Sequence, residues 1–405
     1  MQGTRTLAVR MFLSFAFAYF FSALLRAVTA TLAPSFSAEM GLGASDLGLL
    51  AGAYFLGFAS LQLPLGSALD RFGPKRVLLA MMVIAVAGCA AFALATGLAG
   101  LVLARGLIGM GVAACLMAPL TCFRRHFSPA AQLRANSWML MTGSLGMLAS
   151  TLPVQWLLPA WGWRGLFWAV AAALLLAMSL VWAWVPRDAP TRSTGAQATA
   201  GYASIVSHPT FVRSAPLGFF LYGGLVAVQS LWAGPWLTRV AGWSAAEAAG
   251  GLFAINLGML FAFMAWGILM PRLSARGVGA QRLMARGLPL SLVLLALIVL
   301  RPEPAGAGLW ALWCVSCSFV SLSQPAVGQA FPAHLAGRAL SAFNLVIFSG
   351  VFCIQWGIGL GVDLLRSGGW PEPAAFRFAF AFFGACCALS YLWFLKPPRR
   401  WRQPA

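Results

Sequence analysis

The stretch Gly66-Ser-Ala-Leu-Asp70-Arg71-Phe-Gly73-Pro-Lys75-Arg76 closes one long apolar run and precedes another. The run before it covers about residues 47–69, and the run after it covers about residues 76–96. Each is long enough to cross the hydrocarbon core of a bilayer, which takes about 20 residues of helix. The four charged residues of this turn therefore mark a connection between two membrane spans.

The composition of the whole chain supports the same interpretation. Of 405 residues, 61% are hydrophobic and only 9% are charged, whereas soluble domains carry about 25% charged residues. A chain with so little polar surface is stable in a bilayer and not in water. The composition excludes a soluble enzyme, a secreted disulfide scaffold and a nucleic-acid-binding domain.

Apolar stretches of spanning length follow one another in two sets of six, separated by the longest polar stretch. We predict an all-α membrane protein with twelve transmembrane helices in two six-helix bundles, over residues 1–186 and 214–405, joined by a cytoplasmic loop over residues 187–213. The spans are expected near residues 11–33, 47–69, 76–96, 98–120, 135–158, 165–185, 214–237, 246–270, 283–300, 307–328, 339–362 and 374–395.

The two halves also repeat one another. Arg134-Ala-x-Ser137 corresponds to Arg338-Ala-x-Ser341, and Gly146 and Gly350 follow these motifs at equal spacing. A repeat of six spans in one orientation predicts a substrate cavity between the repeats, near the membrane midplane.

Basic residues set the orientation. With the N-terminus inside, 20 of the 27 Lys and Arg residues fall on the cytoplasmic side and five fall outside, as the positive-inside rule requires. Both termini are therefore predicted to be cytoplasmic, in the inner membrane of a bacterium. The net charge of +19 is an orientation signal and requires no nucleic-acid partner.

The turn resembles the signature between the second and third helices of the major facilitator superfamily. With the spans, the central loop and the repeat, the resemblance covers essentially the whole chain, and it implies a secondary transporter that works by alternating access. The residues implied in gating are those of Gly66-x-x-x-Asp70-Arg71-x-Gly73-x-Lys75-Arg76.

Each part of this signature has a physical reading. Gly66 would let two helices approach closely, as small residues do in membranes. Asp70 would pair with a basic residue or cap a helix N-terminus and so lock the cytoplasmic gate. Arg71, Lys75 and Arg76 would bind anionic lipid headgroups.

Two arginines lie inside predicted spans: Arg26 in the first and Arg105 in the fourth. A charged side chain at that depth costs about 2.5–3.5 kcal/mol on insertion scales, so each should face a cavity or a partner. Asp46, at the outer start of the second span, is the nearest acid and could form a structural pair with Arg105. The other hypothesis is that the substrate brings the negative charge, which predicts a small organic anion.

The first span refines this hypothesis. Arg26 stands eight residues before Pro34, which is similar to the organophosphate:phosphate antiporter branch of the family. That branch also uses an arginine in the seventh span, whereas residues 219–232 contain no basic residue. A singly charged organic anion therefore fits better than a phosphate ester.

Other polar residues inside the spans more often bond between helices than bind solute; they are Tyr54, Gln62, Tyr222, Gln229, Asn256, Gln324, Asn344 and Gln355. Gln229 and Gln324 rank higher because spans one, four, seven and ten line the cavity in the family. Trp232 lies deep enough to stack on a substrate. The substrate site is therefore predicted to combine Arg26 and Arg105 with Tyr222, Gln229, Trp232 and Gln324.

Two other hypotheses remain open. A drug or metabolite efflux antiporter of the same family would carry Gly-Pro-x-x-Gly-Gly in the fifth span, from which Gly143-Ser-Leu-Gly146 departs. A transporter-like membrane sensor would be expected to carry an additional cytoplasmic domain. Because no carboxylate or histidine lies at mid-span, proton coupling through the substrate itself, exchange with a counter-anion and facilitated diffusion all remain open. We predict no catalytic residue, metal or cofactor, and a monomer surrounded by lipid.

Overall fold

Helices form the structure of this chain. The computed structural model describes residues 2–186, 200–301 and 303–396, and this part of the chain contains no β-strand. In hydrocarbon, each backbone N–H and C=O must find its partner inside the protein, so an isolated apolar run has to be helical. Most of the predicted central loop, residues 187–199, lies outside the described residues.

The chain divides into two compact units. One comprises residues 1–42 and 53–194, and the other comprises residues 43–52 and 195–405. The helices of the first half of the sequence are α1 (Gln2–Met40), α2 (Ala44–Ser60), α3 (Gln62–Phe72), α4 (Pro74–Leu94), α5 (Leu98–Val112), α6 (Ala114–His126), α7 (Pro129–Ala149) and α8 (Leu152–Trp184).

The second half begins with short helices and continues with long ones. It contains α9 (Ala200–Val206), α10 (Pro209–Leu217), α11 (Gly223–Ala227), α12 (Ala233–Pro235), α13 (Ala245–Ala275), α14 (Ala280–Leu300), α15 (Ala307–Cys317), α16 (Ser323–Gln329), α17 (Ala333–Ser367) and α18 (Glu372–Leu395). Three π-helical segments join α10, α11 and α12 into one continuous span, Pro209–Val240.

The all-helical membrane class is confirmed, and the number of spans is close to the prediction. Within the described ranges, ten helices are long and apolar enough to cross a membrane, and an eleventh forms if α2 and the 42°-bent Gln62–Leu69 count together. α7 is a further helix of 21 residues at the position of the predicted fifth span.

The fifth span, predicted over residues 135–158, is interrupted within that range, and the backbone turns again at Gly162, whose φ is 61°. α7 ends before Ser150 and Thr151, whose hydroxyl groups donate to backbone carbonyls three residues back at 2.6 Å. Pro153 lies in the first turn of α8, where a missing N–H costs nothing. The helix break falls within apolar composition, so hydropathy alone passes over it.

Each unit has its own packing. In the first unit, α4 packs against α5 and α8, and α1 packs against α7 and α8. In the second unit, α14 packs against α15 and α18, and α17 packs against α18. Aromatic side chains fill both interiors, with Phe92 and Phe167 stacked in the first unit and Trp236 against Trp310 in the second.

Candidate functional site

Arg105 is the most deeply buried charged residue of the candidate site. It lies on α5 with none of its surface exposed. Its Nη1 donates to the carbonyl of Leu25 at 2.9 Å, and its Nη2 donates to Thr29 Oγ1 at 2.6 Å. Nε has no hydrogen-bond partner. The guanidinium is thus held by α1 through neutral groups, which leave its positive charge uncompensated.

Tyr54 connects Arg105 to the second arginine. The guanidinium carbon of Arg105 lies 5.0 Å from the centre of the Tyr54 ring, an arrangement in which the ring face attracts the cation. The Tyr54 hydroxyl donates to the carbonyl of Ser22 at 3.2 Å and lies within hydrogen-bonding reach of Arg26. Arg26 itself is half-buried, with its guanidinium carbon 5.8 Å from the Phe58 ring centre. The first unit therefore gathers two cations around one tyrosine.

Glycines hold this cluster together. A Cβ added at Gly109 would lie 1.9 Å from the backbone oxygen of Tyr54, and one at Gly57 would lie 2.2 Å from that of Gly106. Only glycine allows the backbones of α2 and α5 to come this close. Arg105 and Gly109 lie about one turn apart on α5, so the guanidinium and the close contact with the Tyr54 backbone belong to the same helix.

The acid considered as a partner for Arg105 is bonded within its own segment. Asp46 Oδ2 instead accepts the backbone N–H of Gly43 at 3.0 Å. In the described part of the chain, the ion pairs join Arg164 to Glu39, Arg239 and Arg366 to Glu372, and Arg301 to Glu303. Arg105 takes part in none of these pairs.

Three of the four predicted site residues of the second half make hydrogen bonds to other helices. Gln229 donates to Asn256 Oδ1 at 2.9 Å, and Gln324 donates to the Asn344 side chain. Trp232 has no exposed surface, and its indole N–H donates to the carbonyl of Gln355 at 3.2 Å. In this conformation these side chains bond between helices, which is the alternative considered from the sequence.

Three of the predicted site residues lie in π-helical segments. The hydropathy of the sequence does not indicate these segments. Tyr222 ends the segment Gly218–Tyr222, and Gln229 and Trp232 lie in the segment Val228–Trp232. Tyr222 is half-buried and packs against an apolar cluster. Single π-helical turns inside α-helices occur frequently at functional sites.

Two residues of the signature turn, Gly73 and Lys75, have structural roles. Gly73 adopts φ 82° and ψ 150°, which ends α3 and starts α4 and which favours glycine. The Lys75 ammonium donates to the carbonyls of Trp182 and Val185 at 2.7 and 2.6 Å. Lys75 is therefore buried against the end of α8. It does not reach the lipid headgroups that the sequence led us to expect as its partners.

The remaining signature residues are more open. Arg71 and Arg76 are exposed, as headgroup contacts require. A Cβ at Gly66 would meet none of the described atoms within 4 Å, so the close helix approach expected there occurs instead at Gly57 and Gly109. Asp70 lies in α3, and its side chain is outside the described part of the structure.

No group of three His, Cys, Asp or Glu residues in the described segments could hold a metal ion. All eight cysteines have free thiols, and Cys314 and Cys317 are buried in the second unit. The chemistry of the candidate site is therefore that of guanidinium, hydroxyl and amide groups.

The family model described as Major Facilitator Superfamily matches residues 15–355. The chain belongs to the major facilitator superfamily. It is a multi-pass membrane transporter and not an enzyme, because transport is what this family and fold perform.

The individual proteins to which this chain is similar share less than a third of their aligned residues with it. The chain is 28% identical over 157 residues to the 4-hydroxybenzoate transporter PcaK of Acinetobacter baylyi, a match covering 39% of this chain and about a third (34%) of that protein. A bacterial homolog of the human lysosomal transporter Spinster, solved inward-facing and unoccupied, aligns with a TM-score of 0.77 at 17% identity over 96% of both chains. A D-xylose-proton symporter aligns with a TM-score of 0.75 at 16% identity, over 96% of this chain and 97% of the other. These solved structures share the fold.

Proposed function

We propose that this transporter moves a small organic anion across the bacterial inner membrane by alternating access. The observation that carries the proposal is Arg105, a fully buried cation whose hydrogen bonds go to a carbonyl and a hydroxyl. A charge at such depth is retained where a function needs it. The substrate is the negative group that this positive potential would favour.

The two arginines have different roles in this proposal. Arg26 is half-buried, so it can touch a bound anion directly. Arg105 is enclosed behind Tyr54 and supplies positive potential from inside the unit. Tyr222, Gln229, Trp232 and Gln324 are proposed to shape the site in the second half once their present hydrogen bonds exchange. Gly66, Asp70, Arg71, Gly73, Lys75 and Arg76 are proposed to control the cytoplasmic gate.

One relative supports an anionic substrate. The match to the 4-hydroxybenzoate transporter concerns a protein named for a carboxylate. A monocarboxylate agrees with two cations and no further arginine in residues 219–232. 4-Hydroxybenzoate is therefore the first probe to use, within a panel of carboxylates, phosphate esters and neutral sugars.

The test is uptake of these radiolabelled compounds by vesicles containing the purified protein. We expect saturable uptake of a carboxylate, at least tenfold slower uptake for Arg26→Ala, and partial recovery for Arg26→Lys. Arg301→Gln is the matched control, because Arg301 is half-exposed and pairs only loosely with Glu303 at 3.9 Å. Transport limited to neutral or cationic compounds, and unaffected by Arg26→Ala, would rule out the anion assignment.

Coupling is tested on the same vesicles. The described carboxylates lie near helix ends, where Asp46 and Asp363 accept backbone N–H groups and Glu39 and Glu372 pair with arginines. The proton would therefore enter with the substrate, or an internal anion would leave in exchange. A proton symporter accelerates under an inward pH gradient, and an exchanger accelerates when the vesicles are preloaded with the same anion.

A further inference from the structure

The first turn of α2 is capped by a carboxylate of α17, more than 300 residues away in sequence. Asp363 Oδ1 accepts the N–H of Ala44 at 3.1 Å, and Oδ2 accepts the N–H of Ser45 at 2.8 Å. The first amides of a helix have no acceptor within the helix, and the positive end of its dipole favours a carboxylate. One side chain therefore satisfies two donors of another helix.

The residue at the N-cap position of α2 cannot supply this cap, so the acceptor is Asp363. The N-cap of α2 is Gly43, whose carbonyl accepts the first helical bond from Leu47. Glycine has no side chain to accept the first-turn amides, as Ser, Thr, Asp or Asn would at this position. Asp46 makes only the reverse bond of a capping box, to the N–H of Gly43. The cap of this helix is complete only while α17 lies beside it.

Next to the cap, glycines line the contact between α2 and α17. A Cβ at Gly48 would lie 2.3 Å from the backbone oxygen of Gln355, and one at Gly359 would lie 2.4 Å from that of Ala44. At Gly52 the neighbour is a side chain, because an added Cβ would lie 2.9 Å from the ring of Phe352. Glycine surfaces bring two backbones into contact without interdigitating side chains. At Gly48 and Gly359 the contact is therefore one of backbone against backbone.

Residues 43–52 and the rest of α2 belong to different compact units. The segment 43–52 is part of the second unit, and α2 from residue 53 onward is part of the first. This ten-residue segment is therefore attached to α17 through the Asp363 cap and the glycine contacts described above.

We propose that Asp363 is a positioning residue for transport, a latch whose carboxylate holds residues 43–52 against α17 in one state of the cycle and releases them in another. The inference rests on alternating access as proposed above. A cap supplied by a second helix contributes free energy to the attached state alone, so removing it shifts the population toward release.

The test is residue-resolved hydrogen–deuterium exchange of the full chain in nanodiscs. Asp363→Asn should accelerate exchange about tenfold over all of residues 44–52, because capping free energies correspond to factors of this size. Asp46→Asn is the matched control: it removes the local half of the cap, so its effect should stop within the first turn. Acceleration by Asp363→Asn that is absent, or confined to residues 44–47, would overturn the latch.

Two further measurements complete the design. If Asp363→Asn does not fold, Ser45→Pro removes one of the two donors at a first-turn position that tolerates proline, and the same spread to residue 52 is expected. A Ser45→Cys/Asp363→Cys pair, bridged by a short thiol cross-linker, should stop 4-hydroxybenzoate uptake until the bridge is cleaved. Undiminished uptake by the bridged protein would also overturn the latch. Wild-type vesicles that transport no anion would instead refute the proposed substrate, and the exchange result would stand by itself.

Discussion

At the scale of single residues, Arg105 is a case in which a side chain proposed to serve transport does not stabilise the fold. Its guanidinium is removed from solvent without a counter-charge, and its two hydrogen bonds go to neutral groups. Replacing buried charges with apolar side chains of similar size is often neutral or stabilising, by about 1–4 kcal/mol. The charge is therefore a cost to the fold, and we attribute its presence to transport.

This gives a prediction for Arg105→Met. The variant should melt at the wild-type temperature or above it, since Met fills the apolar space and Thr29 can bond within its own helix. Uptake of the anion should fall by at least tenfold. Thermal unfolding in detergent and vesicle uptake measure the two quantities. A variant that is destabilised and still transports would contradict this assignment of Arg105.

The sequence indicates the two arginines and not the residue between them. Arg26 and Arg105 stand out because they are charges inside apolar runs. Tyr54 is one of eight polar residues in the spans, and nothing local separates it from Gln62 or Asn344. Its role depends on a contact between α2 and α5 that only Gly57 and Gly109 permit. Contacts between helices are set by three-dimensional packing, which a single sequence does not reveal.

At the scale of helices, Lys75 and Arg76 offer a matched comparison. They are neighbours of the same charge in the signature turn, but Lys75 is buried on the carbonyls that end α8 and Arg76 is exposed. A cation at a helix C-terminus is favourable, and hydrogen bonds to charged groups contribute about 1.5–3 kcal/mol. Lys75→Met should lower the unfolding free energy by about 2 kcal/mol. Arg76→Met should leave it within about 0.5 kcal/mol, as surface substitutions do; equal effects in thermal unfolding would be inconsistent with this distinction.

His208 makes the start of α10 sensitive to pH. Its Nδ1 accepts the N–H of Thr210 at 3.3 Å, which requires a neutral ring, and burial lowers the pKa of the imidazole below its ordinary value of 6.5. The unfolded chain then binds the proton more readily, so this stabilisation is present above about pH 6.5 and is lost as the pH falls through the lowered pKa. Melting curves at pH 7.5 and 5 should show a loss of about 1 kcal/mol in the wild type, the usual size of an N-cap. His208→Asn caps without titrating, so its loss should be smaller; equal losses would show that His208 is not responsible.

Helix positions are largely predictable, and helix irregularities are not. Apolar runs identify the helices because hydrocarbon forces the backbone to pair within itself. The break at Ser150–Thr151 lies inside such a run, with Pro153 as its only local signal. The π-helical segment Gly218–Tyr222 is followed by Gly223, where an added Cβ would lie 2.9 Å from the backbone of Gly350. These features depend on neighbours that are distant in sequence.

At the scale of the whole molecule, charge determines how the chain lies in the membrane. Acidic residues oppose the basic ones: six of the eight fall at predicted outer positions, and 20 of 27 basic residues fall at inner ones. Loops rich in Lys and Arg stay on the cytoplasmic side during insertion. Arg272 near the end of α13, Arg276 in the connection and Arg282 near the start of α14 form one basic group, whereas the next connection carries Arg301 with Glu303.

These two connections should therefore lie on opposite sides of the membrane. Alkaline phosphatase, which is active only outside the cytoplasm, should be inactive when fused after Gly277 and active when fused after Glu303. Replacing Arg272, Arg276 and Arg282 with Gln removes most of the basic signal from the first connection, so its fusion should gain activity. Strong activity of the unmodified fusion after Gly277 would instead place that connection outside. It would also reverse the sides proposed for the signature turn, because an even number of predicted spans separates the two.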